Sequence, residues 1–209
     1  MKYWIGAALI VIAAFGAALS GVNEYFFYAA YIVLTFVVLS TAWNILGGYA
    51  GYVNFGTGAF FGLGSYSAVV LFKALEAPLF VQILAGAAIG AALGFGVGIM
   101  TLRLMGANPV RIKQWAFGIA TGVSALAGAM LIIVGPVEPA LDRLYIGRTF
   151  CVVVLAGLGS MTGTLAAGLI LGISESIVLM MLGASWAPAV AFGLLLIVLG
   201  IRPQGLFGR

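Results

Sequence analysis

The sequence predicts an all-α, polytopic membrane protein of about six spanning helices plus a glycine-broken re-entrant hairpin. Of its 209 residues, 64% are hydrophobic and only 7% charged, where a soluble domain carries roughly 25% charged residues. Several apolar runs reach the length of about 20 residues that crosses a bilayer. Thirty-one glycines punctuate those runs, and at two places they break a run rather than end it.

Apolar length and flanking punctuation place spans near 4–20, 25–46, 55–72, 79–102, 115–135 and 186–201. The first of these reads either as a span or as a secretory signal, with Lys2, an apolar core and a small-residue site at Ala18-Leu19-Ser20. A longer stretch, 149–182, is interrupted at "GLGSMTG" (157–163). Tyr3 and Trp4, the cluster Tyr25 to Tyr28, Trp115 and Trp186 fall at the edges of these runs, where amphipathic rings settle. With Lys2 cytoplasmic, alternation puts Arg103, Arg111, Lys113, Arg202 and Arg209 on the same side and Lys73, Arg143 and Arg148 outside. Glu24, Glu76, Glu138 and Asp142 then also fall outside. This agrees with the positive-inside bias and sets both termini in the cytoplasm. The count closes only if 149–182 enters and leaves on the outer face, as a hairpin turning at 157–163.

The composition excludes several chemistries for this chain. It has no histidine and one cysteine, Cys151, so it offers neither an internal disulfide nor a Cys/His metal site nor a Ser-His pair. No GxxxxGK[ST] loop occurs, so ATP is not bound in that way. The net charge of +4 belongs to membrane edges and does not point to nucleic acid. A catalytic role is therefore not expected.

The glycines fall into two kinds. Gly86, Gly90, Gly94 and Gly98 recur every fourth residue, which lines one helix face and lets backbones pack closely. In 44–58 the pattern is irregular: Gly47, Gly48, Gly51, Gly56 and Gly58 alternate with Asn44, Tyr49, Asn54 and Thr57. Irregular backbone at membrane depth is tolerated only inside protein or along a wet cavity. Broken segments in both halves of a chain point to a transport path. The second break supplies Gly157, Gly159, Ser160 and Gly163. The alternative for 44–58 is a tight turn capping helix ends. If the segment lines a path, a bulky residue at Gly51 or Gly56 is expected to close it.

Glu175 is the one acid within a predicted span. A charge there must face protein or a cavity, as a polar contact in the path or as a structural bond aided by Ser174 or Ser176. In "GANPVRIKQW" (106–115), Asn108 suits an N-cap and Pro109 the first helical position. Arg111 and Lys113 would then project into the cytosol, and by charge alone they serve either topology or contact with a partner.

The stretch "AWNILGGYAGYVNFGTGAFFGLGSYSAVVL" (42–71) resembles the signature of permease subunits of branched-chain amino acid ABC transporters, the LIV-I type. "VVVLAGLGSMTGTLAAGLILGISESI" (152–177) and the ending "RPQGLFGR" (202–209) are similar to further family segments. The resemblance implies one permease domain over 1–209, shortened near 103–104, where "GIMTLR" abuts "LMGANPV". It also implies a second permease subunit, identical or different, two ATP-binding subunits that hold the ATP, and a periplasmic substrate-binding protein. The location implied is the bacterial inner membrane. Gly106, Asn108, Pro109, Arg111 and Lys113 match the loop that grips the ATPase. A self-sufficient channel or carrier, or a shortened permease that only packs with a partner, remain the alternatives, and urea or short amides remain alternative cargoes.

Overall fold

A computed structural model describes residues 24–51, 55–104, 111–157 and 159–207. Among them there are helices and turns but no strand. The helices are α1 (Glu24–Asn44), α2 (Thr57–Leu75), α3 (Leu79–Leu104), α4 (Arg111–Ala129), α5 (Leu141–Ala156), α6 (Met161–Leu182) and α7 (Ala187–Ile201). A π-helical segment, Ile45–Ala50, continues α1, and short 3-10 turns follow α4 and precede α7. Six helical stretches are long and apolar enough to cross a membrane: Tyr25–Gly48, Thr57–Leu75, Leu79–Thr101, Lys113–Ile133, Met161–Leu182 and Ala184–Ile201. The expected span 4–20 lies outside the described residues. Leu34, Val70, Phe80, Leu196 and Ile201 stand outward and exposed, the arrangement of a surface solvated by lipid chains.

With lipid tails as apolar as the side chains, close backbone contact replaces the hydrophobic effect as the glue between helices. On α3, a Cβ on Gly86, Gly90, Gly94 or Gly98 would run into Ala129, Ala125, Thr121 or Phe117 of α4 respectively. Two four-residue ladders thus run antiparallel in register. α4 answers with its own glycines: a Cβ on Gly122 would stand 2.9 Å from Ala91 Cβ, and one on Gly118 3.4 Å from Phe95 Cβ. Gly64 of α2 lies against the backbone of Ala125, and Gly128 of α4 against that of Phe61. Between them the Ser65 hydroxyl donates to Gly128 O at 2.8 Å and to Phe61 O at 3.0 Å. On the other flank, Gly168 and Gly172 of α6 abut Val37 and Val33 of α1. α1 therefore sits between an α2–α3–α4 group and an α5–α6–α7 group.

Two expectations are corrected here. The first arm of the hairpin begins at Leu141 rather than at 149, so Arg148 is a helical residue and not a loop cation. The second arm is also longer than a re-entrant element requires. The chain turns at 157–160, but α6 has 22 residues, about 33 Å at 1.5 Å per residue, matching a hydrocarbon core of about 30 Å. After α7, the amides of Leu206 and Phe207 donate to the carbonyls of Leu155 and Ala156. The hairpin tip is therefore level with the far end of α7 and runs the full depth of the bundle. The charges at Asp142, Arg143 and Arg148 made the first arm read as loop. Arg148 is drawn inward by a partner that sequence alone does not reveal.

Candidate functional site

The two glycine-broken segments meet. α1 ends at Asn44, which is fully buried, and the ladder then widens into the π-helical turn Ile45–Ala50. Such turns displace backbone from the regular ladder and cluster at functional positions. The segment carries Gly47, Gly48 and Tyr49 and stops at Gly51, whose φ of +77° is left-handed. Gly48 faces the α5–α6 turn so closely that a Cβ would collide with Asn44 Oδ1 and lie 2.8 Å from Gly159 Cα. Gly159 N–H donates to Asn44 Oδ1 at 3.1 Å, and Asn44 Nδ2 reaches Met161 Sδ at 3.9 Å. One buried amide thus clips the turn and the first residue of α6.

The turn itself depends on glycine conformations. Gly157 and Gly159 have φ of +87° and +86°, values that side-chain-bearing residues rarely adopt. Ser160 caps α6, its Oγ accepting from Gly163 N–H at 3.1 Å, which satisfies one of the orphan donors of a helix start. A Cβ on Gly163 would meet Ala156 O and Phe207 Cβ, each at 2.8 Å. The tail 202–207 closes the corner: Gly205 packs on Gly157, while the Leu206 and Phe207 amides take up carbonyls that α5 leaves unpaired at its end. This role of the tail is invisible to sequence reasoning, because nothing in "RPQGLF" specifies what it touches.

The remaining residues of 44–58 divide. Gly56 caps α2, with Thr57 and Gly58 buried in its first turn, while Asn54 lies outside the described residues. Phe55 folds back onto Trp43, ring centroids 5.6 Å apart. Gly51 has nothing within 4 Å of its would-be Cβ, so its backbone angle, not lack of space, asks for glycine. α4 leans on the same corner, where Ala120 joins Ala42 and Leu46 in a buried cluster edged by Phe117 and Ile45. Gly106, Asn108 and Pro109 lie outside the described residues. α4 starts at Arg111, and Lys113 in its first turn is half-buried.

Glu175 is elsewhere. It follows Met161 by fourteen residues of α6, about 21 Å along the axis. Its Oε1 meets Arg148 Nη1 at 2.7 Å, with the glutamate side chain 1% and the arginine 17% exposed. Oε2 is buried without a hydrogen-bond partner. The neighbouring serine is occupied locally: Ser176 Oγ donates to Gly172 O at 2.8 Å, and the Tyr25 hydroxyl reaches Ser176 O from α1. The pair borders a cavity of about 180 Å³, walled by Ile32 and Phe36 of α1 and Leu179 of α6, with Tyr28 and Tyr145 beside it. Among the described residues no group of His, Cys, Asp and Glu could hold a metal ion.

The sequence matches the family described as "Branched-chain amino acid transport system / permease component" over 25–107 and 102–199. The two matched stretches meet where "GIMTLR" abuts "LMGANPV". A high-affinity branched-chain amino acid transport system permease protein, BraD of Pseudomonas aeruginosa, is 36% identical over 108 residues, 51% of this chain and 35% of the relative. LivH of Escherichia coli K12, a permease protein of the same description, is 35% identical over 107 residues, again 51% and 35%. LivH of Salmonella typhimurium is 34% identical over 107 residues. The matched stretch thus spans about a third of the curated relatives' length. No solved structure matches. With a family match running across nearly all of the described helices, this multi-pass membrane chain belongs to the permease components of branched-chain amino acid transport systems.

Proposed function

We propose that the chain is the membrane permease subunit of an ATP-driven importer in the bacterial cytoplasmic membrane, passing branched-chain or related amino acids. Its partners would be a second permease chain, two ATP-binding subunits that hydrolyse the nucleotide, and a periplasmic protein that delivers the cargo. No cofactor is assigned to this chain. The observation that carries the proposal is the convergence of both broken segments on Asn44, at one end of the bundle. Few bonds hold this end: one side-chain amide at a turn with two left-handed glycines, and a docked tail. Such a corner opens without unfolding a helix, which suits a gate.

The path residues are then Asn44, Gly47, Gly48, Tyr49, Gly51, Asn54, Gly56, Thr57 and Gly58 with Gly157, Gly159, Ser160 and Gly163. Positive-inside charge sets this corner at the cytoplasmic face and residues 134–140 outside. Gly106, Asn108, Pro109, Arg111 and Lys113 form the contact with the ATPase. A push on the start of α4 reaches the gate through Phe117 and Ala120, which pack on Ile45 and Leu46.

The test is reconstitution in vesicles with the partner subunits. Uptake of radiolabelled leucine is expected only with ATP and the binding protein both present. Uptake without the ATP-binding subunits would make the chain a self-sufficient carrier instead. Arg111→Ser with Lys113→Ser is expected to weaken co-purification with the ATPase and uncouple hydrolysis from transport. Intact assembly with unaltered stimulated hydrolysis would reduce these cations to topology signals. In a Cys151→Ala background, a cysteine at position 142 should react with an impermeant maleimide from the periplasmic side. Reaction from the cytoplasmic side alone would invert the topology.

A further inference from the structure

The Arg148–Glu175 pair is held in only half of its bonding capacity. A carboxylate has two oxygens and a guanidinium five N–H donors in a planar fork. Here one contact is made, Nη1 to Oε1, while Oε2 is buried with no partner. A buried polar atom without a protein partner is costly unless water or a ligand meets it. The pair borders the cavity of about 180 Å³, the volume of about six waters at roughly 30 Å³ each. Arg148, 17% exposed, is among the residues that line it. Ile32, Phe36 and Leu179 line the same cavity with hydrocarbon or ring carbon, beside Tyr28 and Tyr145.

An anion and a cation side by side in a small cavity that also has an apolar lining complement a zwitterion with a short aliphatic side chain. We propose that this cavity is a binding site for one free α-amino acid. The carboxylate is taken by the N–H groups of Arg148 not engaged by Glu175, the ammonium by the Glu175 carboxylate, and the side chain by Ile32, Phe36 and Leu179. The choice of an amino acid among small zwitterions rests on the importer reading. The site is about 10 Å in from the end of α6 at Leu182, in the half of the bundle away from the Asn44 corner. Cargo held there waits above a closed gate, so the permease itself selects among what the delivery protein brings.

The test uses the full chain with its partner permease in lipid nanodiscs and reads ligand contact by saturation-transfer NMR, which registers weak binding. Leucine and valine are expected to bind saturably. Isocaproate, lacking the ammonium, and isoamylamine, lacking the carboxylate, should each bind at least about tenfold more weakly, since each forfeits a charge-assisted bond. Glu175→Gln should weaken leucine about tenfold or more. Leu179→Trp should do the same by filling the cavity while leaving the ion pair untouched. Each variant is compared only if it elutes as the wild type does. Absence of saturable leucine binding in the wild type, equal binding of isocaproate, or unchanged binding in Leu179→Trp would each overturn the site. ATP-driven uptake by the same assembly reports the importer reading separately. Uptake without cavity binding removes the site alone, whereas cavity binding without uptake keeps the site and removes the ATP-driven importer.

Discussion

Gly48→Leu is expected to take uptake to background while the protein still inserts and accumulates. Insertion follows summed hydrophobicity, which leucine raises. The damage is local. The first side-chain carbon alone collides with Asn44 Oδ1 and lies 2.8 Å from Gly159 Cα. Asn44 Oδ1 can move aside only by giving up its bond to Gly159 N–H, and Gly159 presents backbone with a φ of +86°. Overpacking of this kind costs about 1–3 kcal/mol, and losing the Asn44–Gly159 bond adds about 1 kcal/mol. The corner is expected to splay rather than the bundle to unfold. Gly62→Leu serves as the control, because nothing lies within 4 Å of that position. Vesicle uptake and a thermal melt of both variants check the prediction. Near-normal uptake by Gly48→Leu would show that the contact between the two breaks is dispensable.

Glu175→Ala should be the most destabilising single substitution among the described polar residues. It strands the Arg148 guanidinium, 17% exposed, without an anion. Breaking a buried pair from one side costs about 3–5 kcal/mol, whereas replacing both partners with apolar groups of similar volume is often neutral or better. The variant is therefore expected to melt well below the wild type in detergent, and Arg148→Met with Glu175→Leu to recover most of the loss. The cycle also separates stability from cargo handling. The double variant should fold, insert and yet bind no zwitterion. If single and double variants melt alike, the two residues are not coupled in the folded state.

What could be read from the sequence follows the range of the interactions. Spans were legible because a bilayer imposes a length, and the expected 25–46, 55–72, 79–102, 115–135 and 186–201 differ from the helical stretches by a few residues at most. The four-residue glycine ladder showed that α3 has a close-packing face. It did not show that Phe117, Thr121, Ala125 and Ala129 occupy it, since that needs the register between two helices. Both breaks were visible as glycine punctuation. Their meeting was not, because Asn44 and Gly159 are 115 residues apart. Arg148 was misread for the same reason: a cation near a run's edge reads as a loop residue until its counter-ion is placed beside it. Gly51 shows a subtler limit. Its presence was legible, but whether space or backbone angle required it became plain only from φ and the empty surroundings.

The docked tail also sets an order of events during synthesis. The carbonyls of Leu155 and Ala156 receive their hydrogen bonds from Leu206 and Phe207, which leave the ribosome about fifty residues later. At roughly 5–20 residues per second, that leaves α5 waiting about 3–10 s with a raw end, while α6 and α7 are still being made. Over that interval the nascent hairpin must shelter those carbonyls with water or with the insertion machinery. The corner where the two breaks meet is thus among the last parts of the described bundle to close. A chain stopped after α7 would already contain every described helix and still lack the amides that seal it.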